Sequence, residues 1–215
     1  MRDVQRDAIT VALEAGESYG FALAGGLALN ALGLSDRPSN DGDIFTSDTD
    51  PARFASGVDA MVDRLVSQGY DVEVLRRAST FAQVAVTHGD QGPERLDFAV
   101  DYRAHPPLKV VGVGLVIALE DAVASKLGAL YGRGEVRDYL DVLAILSSQT
   151  MTWEQALTLA DARSAVPLDR TMLAASLQHG ATITDARYAE YGLSPHEADA
   201  VRERLHTLAD TVTRT

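Results

Sequence analysis

The sequence contains no cysteine, which excludes disulfides, zinc–thiolate sites and a cysteine nucleophile. Any metal would have to be held by oxygen or imidazole. The five histidines, His88, His105, His179, His196 and His206, are scattered without a paired ligand spacing. A hard cation on carboxylates is therefore the expectation, Mg²⁺ first and Mn²⁺ in its place. Positive charge is also scarce. Lys109 and Lys126 are the two lysines, and 19 Lys and Arg face 31 Asp and Glu, a formal net charge of −12. That balance argues against coating nucleic acid through a broad basic surface and suits small substrates that arrive with a metal, or a basic protein partner. No apolar run approaches the ~20 residues needed to cross a bilayer, and the opening MRDVQRDAIT lacks the charged-then-apolar order of a signal peptide. The expected location is the cytoplasm, away from any membrane.

What is present is 215 residues at 46% hydrophobic content, enough for one sizeable core or one main domain with a helical annex. Hydrophobic periodicity predicts a helix over 4–16, a strand over 19–24, a short helix over 27–32 and a strand over 41–46. A helix from Pro51 to Gly69 follows, then strands over 70–75, 80–87 and 95–102 and an apolar, valine-rich stretch over 109–117. Beyond that the character is helical, with segments at 119–130, 136–146, 153–161, 168–177 and 194–212, the last capped by Ser194. The expected fold is α+β: a mixed sheet flanked by helices over 1–118, followed by a helical region over 119–215.

The chemistry-bearing stretch begins at Gly25-Gly26 and continues through Arg37-Pro38-Ser39-Asn40-Asp41-Gly42-Asp43-Ile44-Phe45. A strand that ends in two glycines before a helix exposes backbone N–H groups and a positive helix end to a phosphate. On a strand, Asp41 and Asp43 have Cα atoms about 6.6 Å apart and point to one face, so their carboxylates can converge on a cation. By the same period of two, Asp97, Ala99 and Asp101 share a face. Asp97, between apolar neighbours, is the better third acid, and Asp101 reads equally as a surface or turn residue.

This arrangement resembles the nucleotidyltransferase superfamily and, more narrowly, the AbiEii (MenT-type) toxin family, whose pattern is Gly-Gly-Thr-Ala-Leu followed by Arg-x-Ser/Thr-x-Asp-x-Asp-x-Phe. Arg37, Ser39, Asp41, Asp43 and Phe45 fall in register with it. Leu27 stands where the family often has a hydroxyl, and Gly42 where it usually has an apolar residue. A second segment is similar as well: Lys126-x-x-Ala129-Leu130, Arg133, then Arg137-Asp138-x-x-Asp141. The resemblance covers about Phe21 to Leu146.

It implies Asp41, Asp43 and Asp97 as metal ligands and catalytic acids. Gly25, Gly26, Arg37, Ser39, Lys126 and Arg133 would bind the nucleotide. Lys126 read alone is an exposed helix lysine. Asp138 and Asp141 would orient it or assist the nucleophile, or else form an ion-pair network with Arg133 and Arg137. The resemblance further implies a nucleoside triphosphate donor, a pyrimidine preference for CTP or UTP, a tRNA 3′ end as acceptor and a cognate antitoxin. Arg76, Arg77, Arg103 and Lys109 are the basic cluster expected to meet RNA. Two other classes fit the same acids: an antibiotic-modifying nucleotidyltransferase, and a catalytically silent antitoxin-like module.

Overall fold

A computed structural model describes residues 2–212. The chain divides into two compact units, with the division between Ala122 and Val123. In the first unit, α1 (Asp3–Gly16) leads through a short 3-10 turn to β1 (Ala22–Ala24), α2 (Gly25–Ala31), β2 (Asp41–Thr46) and α3 (Pro51–Ser67). β3 (Asp71–Arg77), β4 (Phe81–Thr87), β5 (Glu94–Val100), β6 (Leu108–Val110) and β7 (Gly114–Val116) complete a mixed sheet ordered β3-β4-β5-β2-β1-β7-β6. β2 and β5 run parallel, as do β1 and β7.

Two local choices set this unit. Asp50 caps α3 by accepting from Ala52 N at 2.9 Å, and Pro51 fills the first helical position, where its missing N–H costs nothing. The inward face of the sheet carries Ile44, Leu96, Phe98, Ala82 and Val84, all buried. Phe21 packs against Phe54 at 5.8 Å and edge-on to Phe98 at 6.4 Å. Gly42 points into this layer. A Cβ there would lie 2.7 Å from Leu96 Cδ2 and 3.1 Å from Ile9 Cδ1, so the glycine between the two acids is what lets α1 sit down on β2.

Several elements depart from the sequence-based boundaries. The strand expected over 19–24 is cut to three residues because Glu17–Tyr19 closes a 3-10 turn ending at Gly20 in the left-handed region. β5 ends at Val100, so Asp101 leaves the strand and its N–H donates to Thr46 O at 2.9 Å. The stretch 109–117 is a hairpin, β6 and β7, reversing through Gly112 at φ 75° and Gly114 at φ 117°.

α4 (Leu119–Gly132) carries the chain into the second unit, which holds α5 (Val136–Ser147), α6 (Trp153–Arg163), α7 (Arg170–Ala181), α8 (Asp185–Ala189) and α9 (Pro195–Val212). Capping defines their starts. Thr152 and Gln155 form a reciprocal capping box on α6, and Asp169 accepts from Met172 N at 2.9 Å on α7. Tyr188 is fully buried with Val136 and Ala198, its hydroxyl donating to Gly180 O at 2.9 Å.

Candidate active site

Strand register gathers the acids. Asp43 on β2 pairs laterally with Asp97 on β5, and Asp41 pairs with Arg95 one row away. Neighbours in register stand on the same face about 4.8 Å apart, so Asp41, Asp43 and Asp97 share the face opposite the aromatic core. Alternation along β2 agrees: Gly42, Ile44 and Thr46 are buried, whereas Asp41, Asp43 and Phe45 are half-buried.

Each acid is held differently. Gln83, directly across from Asp97 on β4, donates its amide to Asp97 Oδ1 at 2.7 Å. Arg95 stands 3.8 Å from Asp41, a loose pair. Burial pushes the Asp97 carboxyl above the usual aspartate range; the nearby Asp41 charge adds to this, and the Gln83 hydrogen bond opposes it. Gln83 had no signature in the sequence, since an amide on a strand is ordinary until the β4–β5 register is known.

The glycine turn abuts the same row, because Ala24 pairs with Asp43. Gly25 opens α2 at φ 63°, and a Cβ there would fall 1.8 Å from Asp43 Oδ2. Both conformation and space demand glycine. Beside it, a Cβ on Gly26 would lie 3.1 Å from Arg37 Nη2 and 3.2 Å from Ser39 Oγ. The first turn of α2 has no side-chain cap, so its N–H groups are available to an anion. The loop is pinned by Asn30, whose amide donates to Ser35 O and Arg37 O, and by Gln5, which donates to Ser39 O at 3.1 Å. Leu27 is fully buried and contributes packing rather than a phosphate contact. Gly25, Gly26, Arg37, Ser39, Asp41, Asp43 and Asp97 thus come together within the first unit.

The remaining sequence-selected residues form two ion pairs in the second unit. Lys126 Nζ lies 2.7 Å from Asp141 Oδ2, with side chains only 10% and 1% exposed. Arg133 grips Asp138 with two bonds of 2.8 Å, and Asp138 also accepts from Glu135 N at 3.1 Å as part of the α5 capping box. Of the two expected roles for Asp138, this geometry is that of the helix-stabilising network. Asp161 and Arg170 pair with each other, and the Arg170 hydrogen bonds hold the Asp161 carboxyl below its ordinary range.

The expected basic cluster does not form. Arg76 and Arg77 lie on β3 and Lys109 on β6, opposite edges of the seven-stranded sheet. Arg77 pairs with Asp59, Lys109 with Glu17, and Arg103 donates to Gly20 O.

Among the described residues, no three Asp, Glu or His side chains already converge tightly enough to cage an ion. The donor set fits a hard divalent cation: three carboxylates on one face, two from β2 and one from the paired β5.

The profile of the AbiEii family, nucleotidyl transferase toxins of type IV toxin–antitoxin systems, matches residues 11–209. Among solved structures, the nucleotidyltransferase toxin MenT4 from Mycobacterium tuberculosis is 18% identical with a TM-score of 0.66, covering 97% of this chain and 82% of its own. JHP933 from Helicobacter pylori is 16% identical with a TM-score of 0.57, covering 100% and 94%. The antibiotic-resistance factor ANT(2'')-Ia is 17% identical with a TM-score of 0.51, covering 75% and 92%. These similarities support the fold. No curated protein sequence matches.

Proposed function

The chain belongs to the AbiEii family of nucleotidyl transferase toxins, and from that premise we propose that it transfers a pyrimidine nucleotide from CTP or UTP to the 3′ end of tRNA, using Mg²⁺, with Mn²⁺ as a substitute. The observation that carries this reading is the shared face of Asp41, Asp43 and Asp97 beside a glycine turn that no side chain could replace.

Asp41 and Asp43 would hold the divalent cation with Asp97 beside them. When bound, such a cation polarises the α-phosphate and lowers the pKa of the attacking hydroxyl. The N–H groups of Gly25 and Gly26 would bind the triphosphate, with Arg37 and Ser39 next to them. Asp97 lies on the β5 side, where it would orient the acceptor hydroxyl. The hydroxyl oxygen forms a bond to the α-phosphorus, the bond from that phosphorus to the bridging oxygen breaks, and pyrophosphate leaves with the electron pair. The hydroxyl proton passes to a carboxylate or solvent. In the cell, a cognate antitoxin would restrain the activity.

The test is incubation of purified protein with each labelled triphosphate, Mg²⁺, total tRNA and an aminoglycoside, alongside Asp43→Asn. Label from CTP or UTP on the tRNA 3′ end, absent in the variant, is the expected result. Label on the aminoglycoside, or equal incorporation by the variant, contradicts it.

A further inference from the structure

The acid-bearing face continues into a cavity of about 630 Å³ that begins at Asp41. Register explains the hollow. Asp41 on β2 pairs with Arg95 on β5, Arg95 with Ala85 on β4, and Ala85 with Glu73 on β3. Laterally paired side chains rise from one face, so this row reads carboxylate, guanidinium, methyl, carboxylate. The hollow lies over the methyl. At its far wall the β3–β4 ladder slips between Val74 and Arg76, leaving Leu75 as an extra residue. Such a bulge re-aims a side chain. Leu75, 41% exposed, lines the cavity.

The lining therefore has an apolar floor, Leu75 and Ala85, with an amide, a carboxylate and a guanidinium from Asn40, Glu73 and Arg95 around it. A nucleoside presents the matching chemistry: a flat face that seeks apolar contact and an edge of donors and acceptors. The volume lies within the range of small-ligand sites. Glu94 on the wall is 6% exposed and already paired with Arg2 at 2.6 Å. Arg2 and Glu94 offset each other at the wall, and with Asp41 engaged by a cation Arg95 is the guanidinium left to meet a phosphodiester.

Position supplies the direction. An in-line displacement requires the attacking hydroxyl opposite the leaving pyrophosphate. The glycine turn borders Asp43 on the β1 side, whereas the cavity extends from Asp41 across β5, β4 and β3. We infer that this cavity seats the terminal nucleoside of an RNA acceptor, presenting its ribose hydroxyl to the acid face between Asp41 and Asp97, with Arg95 meeting the preceding phosphate. The inference rests on the transferase reading of the acid face.

Ala85→Phe would fill the hollow from β4, a strand that carries neither the three aspartates nor the glycine turn; Leu75→Glu would set a repelling charge in the apolar floor. Both are checked for folding by thermal unfolding. Binding of a short RNA with a tRNA 3′-end sequence is read by fluorescence anisotropy, and KM is measured for donor and acceptor separately. Losing this apolar seat should weaken RNA binding and raise acceptor KM by about tenfold, leaving donor KM unchanged. Unaltered RNA binding by folded Ala85→Phe and Leu75→Glu overturns the inference, and so does a rise confined to donor KM, which would give the cavity to the incoming nucleotide. A wild-type protein that transfers nucleotide to no acceptor sinks the transferase reading instead, a result the binding measurement keeps separate.

Discussion

Gly25 shows how much a single residue carries. Its φ of 63° and a virtual Cβ 1.8 Å from Asp43 Oδ2 make Gly25→Ala both strained and obstructive. The substitution should cost about 1–3 kcal/mol of stability and abolish nucleotide transfer, measured by denaturant unfolding and the labelled-triphosphate assay. An active, fully stable Gly25→Ala would show that the turn is not the phosphate cradle. Asp97 provides a second test. Its carboxyl is raised by burial, so ionising it costs more in the folded chain than in the unfolded one. Folded stability is therefore fully kept below the ordinary aspartate range and lost as pH rises through the Asp97 titration. In chelator-treated buffer Asp97→Asn should be more stable than wild type at neutral pH, the difference vanishing in acid. Gln83→Leu removes the amide that holds Asp97 and should weaken Mn²⁺ binding by about tenfold, read without nucleotide by electron paramagnetic resonance; unchanged affinity would reduce Gln83 to a packing residue. The acids themselves were legible because strand alternation places Asp41 with Asp43, but Gln83 was not, because its meaning lies in a pairing between strands.

At the scale of elements, helices and the long strands were readable from periodicity, and the failures have local causes. The run 110–117 alternates no polar residue with its valines, so nothing in its period marked Gly112 and Gly114 as the reversal of a hairpin. α8 is five residues long, too short for a helical period to register. The parallel pairing of β2 with β5 spans α3, β3 and β4 in the chain, a separation that no local pattern encodes. The α4–α5 pair offers a prediction of its own. Lys126 and Asp141 form a buried ion pair, so Lys126→Met alone should cost about 3–5 kcal/mol by taking the counter-charge from a buried carboxylate, whereas the double change with Asp141→Leu should recover most of that loss. Urea unfolding of the two variants decides it; equal losses in both would mean that the pair is not what the helices depend on.

For the whole molecule, the balance of −12 excluded a general basic coat, and the structure agrees in separating Arg76 and Arg77 from Lys109 across the sheet. On the proposed reading, recognition of an RNA end would be local, centred on the acid face and the few arginines beside it, with a cation supplying the charge the chain lacks. The fold class was legible from the change in pattern near residue 118, a few residues before the division at Ala122, and the family from two motif segments that the profile extends over residues 11–209. The most direct test of the account is to express wild type and Asp41→Ala from the same promoter and sequence tRNA 3′ ends. Added pyrimidines and arrested growth with wild type alone are the result expected here; indistinguishable tRNA ends in the two cultures would contradict it.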